Sequence, residues 1–129
     1  QKRNQREHIK RGSLFMRDYT LYLKDILEAM EAIEKFVEGV DFDNFQKNDM
    51  VSSAVIRKFE IIGEAAKKVP DTIRNKYPEI PWKEMSGMRD RLIHFYFGVK
   101  YSLVWQTIKD VIPLIKPRIL KIIEETKGR

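Results

Sequence analysis

The chain predicts an all-α fold, an up-and-down bundle of four to five helices whose C-terminal member is kinked. Apolar residues recur at three- and four-residue steps along most of the length, while no stretch alternates with period two, carries a hairpin signal or repeats internally. Glycine and proline punctuate the pattern rather than dominate it. At 129 residues, 43% hydrophobic and 11% aromatic, the chain has material for one domain with a real core.

Each element follows from this spacing. From Asp18 onward, Leu23, Ile26, Leu27, Met30, Ile33, Phe36 and Val37 lie on one stripe with Glu and Lys between them, and Gly39 is a C-terminal stop. The stretch 40–48 holds Phe42 and Phe45 among Asp41, Asp43 and Asn44, which predicts a loop or a short turn of helix pinned by two aromatics. Asp49 is the expected cap of a second long helix with Val51, Val55, Phe59, Ile62, Ala66 and Val69 inward, ended by Pro70. Small residues Gly63, Ala65 and Ala66 on that helix allow a close neighbour, at the cost of glycine's poor helix propensity.

Pro70-Asp71 opens a short helix through Tyr77, and the segment 78–81, bounded by two prolines, is a stiff connector. Trp82 is then an anchor for a helix reaching Phe95, with Met85, Met88, Leu92 and Ile93 on its buried side and Gly98 as its stop. The last helix carries Leu103, Val104, Ile108, Val111, Ile112, Ile115, Ile119 and Ile122 in order. Pro113 and Pro117 interrupt it, so a kink or break is expected near residues 110–113.

Composition narrows the chemistry. There is no cysteine to serve as nucleophile or soft metal ligand, and no glycine-rich loop to cradle a nucleotide phosphate, so no metal or cofactor is expected. Apolar runs fall well short of the roughly 20 residues that span a bilayer, which points to a soluble, cytoplasmic chain with no membrane partner. The net charge of +6 is concentrated in residues 1–15, where Lys2, Arg3, Arg6, Lys10 and Arg11 face only Glu7. Setting these aside reduces 25 basic and 19 acidic residues to 20 and 18, a net +2, so bulk charge is no argument for nucleic acid. Gly12-Ser13 followed by Met16 reads as a vector remnant or an upstream start, giving an extension over 1–15 and a helical domain over 16–129.

Chemistry collects in one place, Arg89-Asp90-Arg91-Leu92-Ile93-His94-Phe95-Tyr96, just before Gly98. On a continuous helix, residues five apart stand roughly 140° and about 7.5 Å apart. Arg89 and His94 are then not stacked, but a long arginine can lean toward the imidazole, and the helix end favours its charged form. A second copy across a two-fold axis would bring two guanidiniums and two imidazoles into one groove, an arrangement suited to phosphate. Cleaving RNA through its own 2′-hydroxyl needs a base, an acid for the 5′-oxygen, and positive charge at the phosphorane. Histidine supplies the first two near neutrality and arginine's fork of donors supplies the third.

Spacing alone favours a plainer reading, with His94 as a capping or interface residue, Arg91 as a solvated charge, Asp90 paired with a nearby cation, and Phe95, Tyr96 and Phe97 as packing. Longer blocks alter the balance. Gly87-Met88-Arg89-Asp90-Arg91-Leu92-Ile93-His94-Phe95-Tyr96, flanked by Ile80-Pro81-Trp82 and Val104-Trp105, resembles the HepT-like branch of the HEPN superfamily. So do Phe59-Glu60-Ile61-Ile62-Gly63-Glu64-Ala65-Ala66 and the opening Met16-Arg17-Asp18-Tyr19, so the likeness runs from residue 16 to 125.

That resemblance implies a HEPN-type helical bundle forming a homodimer, and a metal-independent RNase toxin acting on RNA such as tRNA or mRNA from a site in the dimer cleft. It implies Arg89 and His94 as the catalytic pair, with Asp90 as a supporting or orienting group. Tyr96 completes an R-x-x-x-x-H-x-Y form and resembles the tyrosine adenylylated by an MNT-type nucleotidyltransferase antitoxin. The alternative is a non-catalytic helical module that binds and controls such a nucleotidyltransferase.

Overall fold

Apolar side chains recurring every third or fourth residue must share one helix face, and three long helical stretches bury those faces against one another. The computed structural model describes the backbone of residues 2–94 and 98–127, and side-chain environments at residues 19–92 and 98–127. Within these, α1 covers Lys2–Phe36, α2 Phe42–Lys47, α3 Asp49–Lys68, α4 Asp71–Lys76, α5 Trp82–Ser86, α6 Met88–Leu92, α7 Tyr101–Gln106 and α8 Ile112–Lys127. A π-helical turn, Thr107–Val111, joins α7 to α8, and Ile93–His94 (β1) pairs antiparallel with Gly98–Val99 (β2). The fold is all-α, as the periodicity predicts. The first helix extends back to Lys2, across the segment 1–15 that the sequence sets apart.

Helix α1 packs most extensively on α3 and then on α8. Leu23, Ile26, Met30, Ile33 and Val37 are buried, whereas Phe36 at the helix end is exposed. Gly39, at φ 73°, turns the chain out of α1, a conformation that costs an L side chain about 1–2 kcal/mol. Asp41 caps α2 by accepting from the Asn44 amide at 2.9 Å. The cap of α3 is Asn48, one residue earlier than the expected Asp49; its Oδ1 accepts from the Val51 amide at 3.1 Å, and Asp49 instead adds a favourable charge to the first turn. Phe45 is fully buried against Trp105, with ring centroids 5.1 Å apart, and this contact pins α2 to α7.

Gly63 sets how closely α5 approaches α3. A Cβ at this position would lie 3.2 Å from the Met85 carbonyl oxygen and 3.4 Å from that of Ser86, so the two backbones touch where a side chain would normally stand. The contact is reinforced by Arg74, whose Nη2 donates to the Ala66 carbonyl and to Ser86 Oγ, both at 2.8 Å. Trp82 is buried, and its indole N–H donates to the Tyr77 carbonyl at 2.9 Å, so it anchors the start of α5 as expected.

Two features correct the expected course of residues 82–98. The single helix through Phe95 is two short helices meeting at Gly87, and helical structure ends at Leu92. The Leu92 carbonyl, which a continuing helix would use within its next turn, accepts instead from the Lys100 amide at 3.0 Å. Gly98, at φ 78°, is therefore part of a small hairpin with His94 opposite it, not the stop of a helix. The expected break in the last helix takes the form of the π turn just before Pro113. A proline ring clashes with the carbonyl four residues back, and the wider turn lies where that clash would fall.

Two long-range contacts tie α8 to α1. Tyr19 Oη lies 3.2 Å from Thr126 Oγ1, and Lys116 Nζ donates to Glu34 Oε1 at 2.7 Å. The bond to Glu34 raises the Lys116 ammonium above its ordinary value of 10.5, against an opposing pull from burial.

Gly63→Ala is expected to destabilise the protein. Overpacking costs about 1–3 kcal/mol, which exceeds the roughly 1 kcal/mol that alanine gains in a helix; a thermal melt should show a Tm lower by a few degrees, and a higher Tm would contradict the contact. Because the Lys116 value is raised on folding, its contribution is complete below the ordinary 10.5 and disappears as pH climbs through the folded value. Melts followed into that alkaline range should fall more steeply for wild type than for Lys116→Met; parallel curves would refute the pairing.

Candidate active site

Helical geometry places the first component. Residues Glu60 and Gly63 are three apart on α3 and so share a face, the face that meets α5. With Gly63 seated on the backbone of Met85 and Ser86, Glu60 falls opposite the next turn, at Arg89 in α6. Glu60 Oε1 lies 3.5 Å from Arg89 Nε, while its other oxygen accepts from Arg57 Nη1 at 3.3 Å. The Arg89 side chain is 63% exposed and that of Glu60 27%, so the carboxylate lies low between the helices and the guanidinium reaches out past it.

Asp90 follows on α6 and is exposed. The acidic partner of Arg89 is thus Glu60 from α3, a residue to which the sequence alone assigns no role. The available signal is its i, i+3 spacing from Gly63, the residue through which α3 is expected to take a close neighbour. Arg91, two positions after Arg89, points to another side of α6 and lines a cavity of about 230 Å³ floored by Met85, Met88, Leu92 and Leu103.

His94 lies just beyond α6, with its backbone in β1 opposite Gly98. The 140° helical relation between Arg89 and His94 therefore does not hold, because the chain has left the helix between them. A hairpin closed by Ile93↔Val99 and His94↔Gly98 pairing, and by the Lys100 amide on Leu92, fixes the backbone of His94 relative to α6. The side chain of His94, and Phe95, Tyr96 and Phe97 entirely, lie outside the described residues.

Chemically, the described part of the site offers an exposed guanidinium with one edge toward a carboxylate and its two Nη groups without an acceptor among the described residues. Such a fork suits a phosphate or carboxylate anion. Basic side chains Arg91 and Lys100 are exposed on either side of the hairpin. Among the described residues no helix is long and apolar enough to cross a membrane.

Comparison with known proteins gives this cluster a context. A family model described as "Ribonuclease HepT-like" matches residues 26–122. A Methanocaldococcus jannaschii protein named "Putative RNase MJ1216" is 50% identical over 113 residues, 88% of this chain and 93% of its own. A Thermococcus cleftensis protein named "Probable ribonuclease HepT" is 46% identical over 106 residues, covering 82% of this chain and 96% of its own. A third relative, "Putative RNase TTE0752" of Caldanaerobacter subterraneus, is 42% identical over 106 residues, 82% of this chain and 95% of its own. No solved structure matches the chain significantly. With three quarters of its length matched by the family model and its relatives covered almost end to end, the chain belongs to the HepT-like ribonuclease family of the HEPN superfamily.

Proposed function

We propose that this protein is a metal-independent endoribonuclease toxin that cleaves RNA by attack of a 2′-hydroxyl on the adjacent phosphorus, using Arg89 and His94. The observation that carries the reading is an exposed Arg89 guanidinium, held at one edge and open at the other, five residues before a histidine whose backbone is fixed by a hairpin. Family membership supplies the reaction class.

In this reading one imidazole takes the proton from the 2′-hydroxyl as the oxygen bonds to phosphorus. A second imidazole protonates the departing 5′-oxygen, and guanidinium groups bear the charge that builds on the phosphorane oxygens. The products are a 2′,3′-cyclic phosphate and a free 5′-hydroxyl, and no water is consumed in this step. One chain provides a single His94, so the second acid-base group comes from a partner copy and the working site lies in the cleft of a homodimer. Asp90, exposed beside Arg89, is an orienting group at the rim of that cleft.

Regulation follows from the same groove. Tyr96 is the site at which an MNT-type nucleotidyltransferase antitoxin attaches an adenylyl group, two residues from His94. A bulky anion there would exclude the RNA backbone by volume and by like charge.

Purified protein incubated with RNA in EDTA should produce fragments ending in a cyclic phosphate. His94→Ala and Arg89→Ala should each lower the rate by about 10²- to 10⁴-fold, the range of a lost acid-base or charge-stabilising group. Equal cleavage by His94→Ala would reject the assignment. A wild-type protein that binds a nucleotidyltransferase but leaves RNA intact would favour a non-catalytic partner role.

A further inference from the structure

The contact between α3 and α6 contains more than packing. Arg89 is long and largely exposed, and a free arginine of this kind samples many rotamers, most of which direct its donors away from any one target. Here its Nε lies 3.5 Å from Glu60 Oε1. Glu60 is itself held: Oε2 accepts from Arg57 Nη1 at 3.3 Å, and the helix that carries it cannot slide, because Gly63 one turn later is locked against the α5 backbone. The carboxylate is the less exposed partner, at 27% against 63% for Arg89, so it acts as the fixed end of the pair.

We propose that Glu60 is the positioning residue for Arg89, and that it dictates how phosphate meets the guanidinium. This deepens the ribonuclease reading and rests on it for the identity of the phosphate. A guanidinium has two ways to present a pair of parallel donors, sideways through Nε and one Nη, or end-on through both Nη groups. Glu60 occupies the Nε edge, so the sideways mode is closed and the end-on mode is open. The scissile phosphate is therefore received by Nη1 and Nη2, on the side of Arg89 turned away from α3. Glu60 does not touch the RNA; it removes rotamer freedom that Arg89 would otherwise lose at the transition state. The effect is modest in size, because an exposed ion pair is weak and screened by salt.

The test uses the full chain and two independent readouts. Nitrogen-15 relaxation of the Arg89 Nε–H group reports the order of the side chain, and steady-state cleavage of an RNA oligonucleotide reports its consequence. Wild type should give an order parameter above about 0.6, and Glu60→Ala one well below it. Glu60→Ala should lower kcat by about three- to tenfold with KM and Tm unchanged, corresponding to loss of positioning rather than of binding or fold. Glu60→Gln keeps an oxygen facing Nε and should recover most of both, and in an Arg89→Ala background Glu60→Ala should have no additional effect. A disordered Nε in wild type, or a Glu60→Ala variant with wild-type order and kcat, overturns the proposal. A kcat loss that merely tracks a fallen Tm does so too. If wild type leaves RNA uncut, the cleavage reading fails on its own, and the relaxation measurement still decides whether Glu60 fixes Arg89.

Discussion

Everything about the site depends on the backbone contact that Gly63 permits between α3 and α5. Helices with ordinary side chains at their crossing stand about 8–10 Å apart, whereas here two carbonyl oxygens occupy the place of a Cβ. That closeness brings Glu60 within ion-pair distance of Arg89 across two separate helices. It also keeps α6 short and well defined, since Met85, Met88 and Leu92 are buried on the same core that α3 builds with Phe59 and Ile62. The helix propensity lost at Gly63 is the cost of a fixed relation between the carboxylate and the guanidinium.

A second constraint acts just after Arg89. The chain leaves the helix at Leu92 and returns by way of Gly98, so that one short helix holds the arginine and a hairpin holds the backbone of the histidine. Separating the two groups onto different elements allows each to be set independently, which a single continuous helix would prevent by fixing their angular relation. The returning strand leads directly into α7, whose Val104 is buried and whose Trp105 packs on Phe45. The hairpin is thereby tied into the main core at both ends.

Much of the architecture was legible in the sequence because it rests on local periodicity. The inward faces of α1 and α3, the turn at Gly39, the aromatic pinning by Phe42 and Phe45, and the disturbance before Pro113 all follow from side-chain spacing and from what glycine and proline can do. Two features were not legible. Nothing between Gly87 and Gly98 is a helix breaker, so the end of α6 at Leu92 is set by a hydrogen bond from Lys100, eight residues away. Likewise, the partnership of Glu60 with Arg89 joins residues 29 positions apart in sequence, and within the sequence Asp90 was the nearer acidic candidate. Arg89 itself was identified from its motif, and the structure gives it a described environment on α6.

The central claim is that the outward edge of Arg89 receives the scissile phosphate while Glu60 holds its inward edge. A crystal structure with an RNA oligonucleotide carrying a 2′-O-methyl group at the cleaved position, which blocks the nucleophile, tests this most directly. The account predicts a phosphate oxygen within about 3 Å of both Arg89 Nη atoms, with Glu60 still against Nε. An RNA backbone that avoids Arg89, or one that displaces Glu60 and binds through Nε, would contradict it.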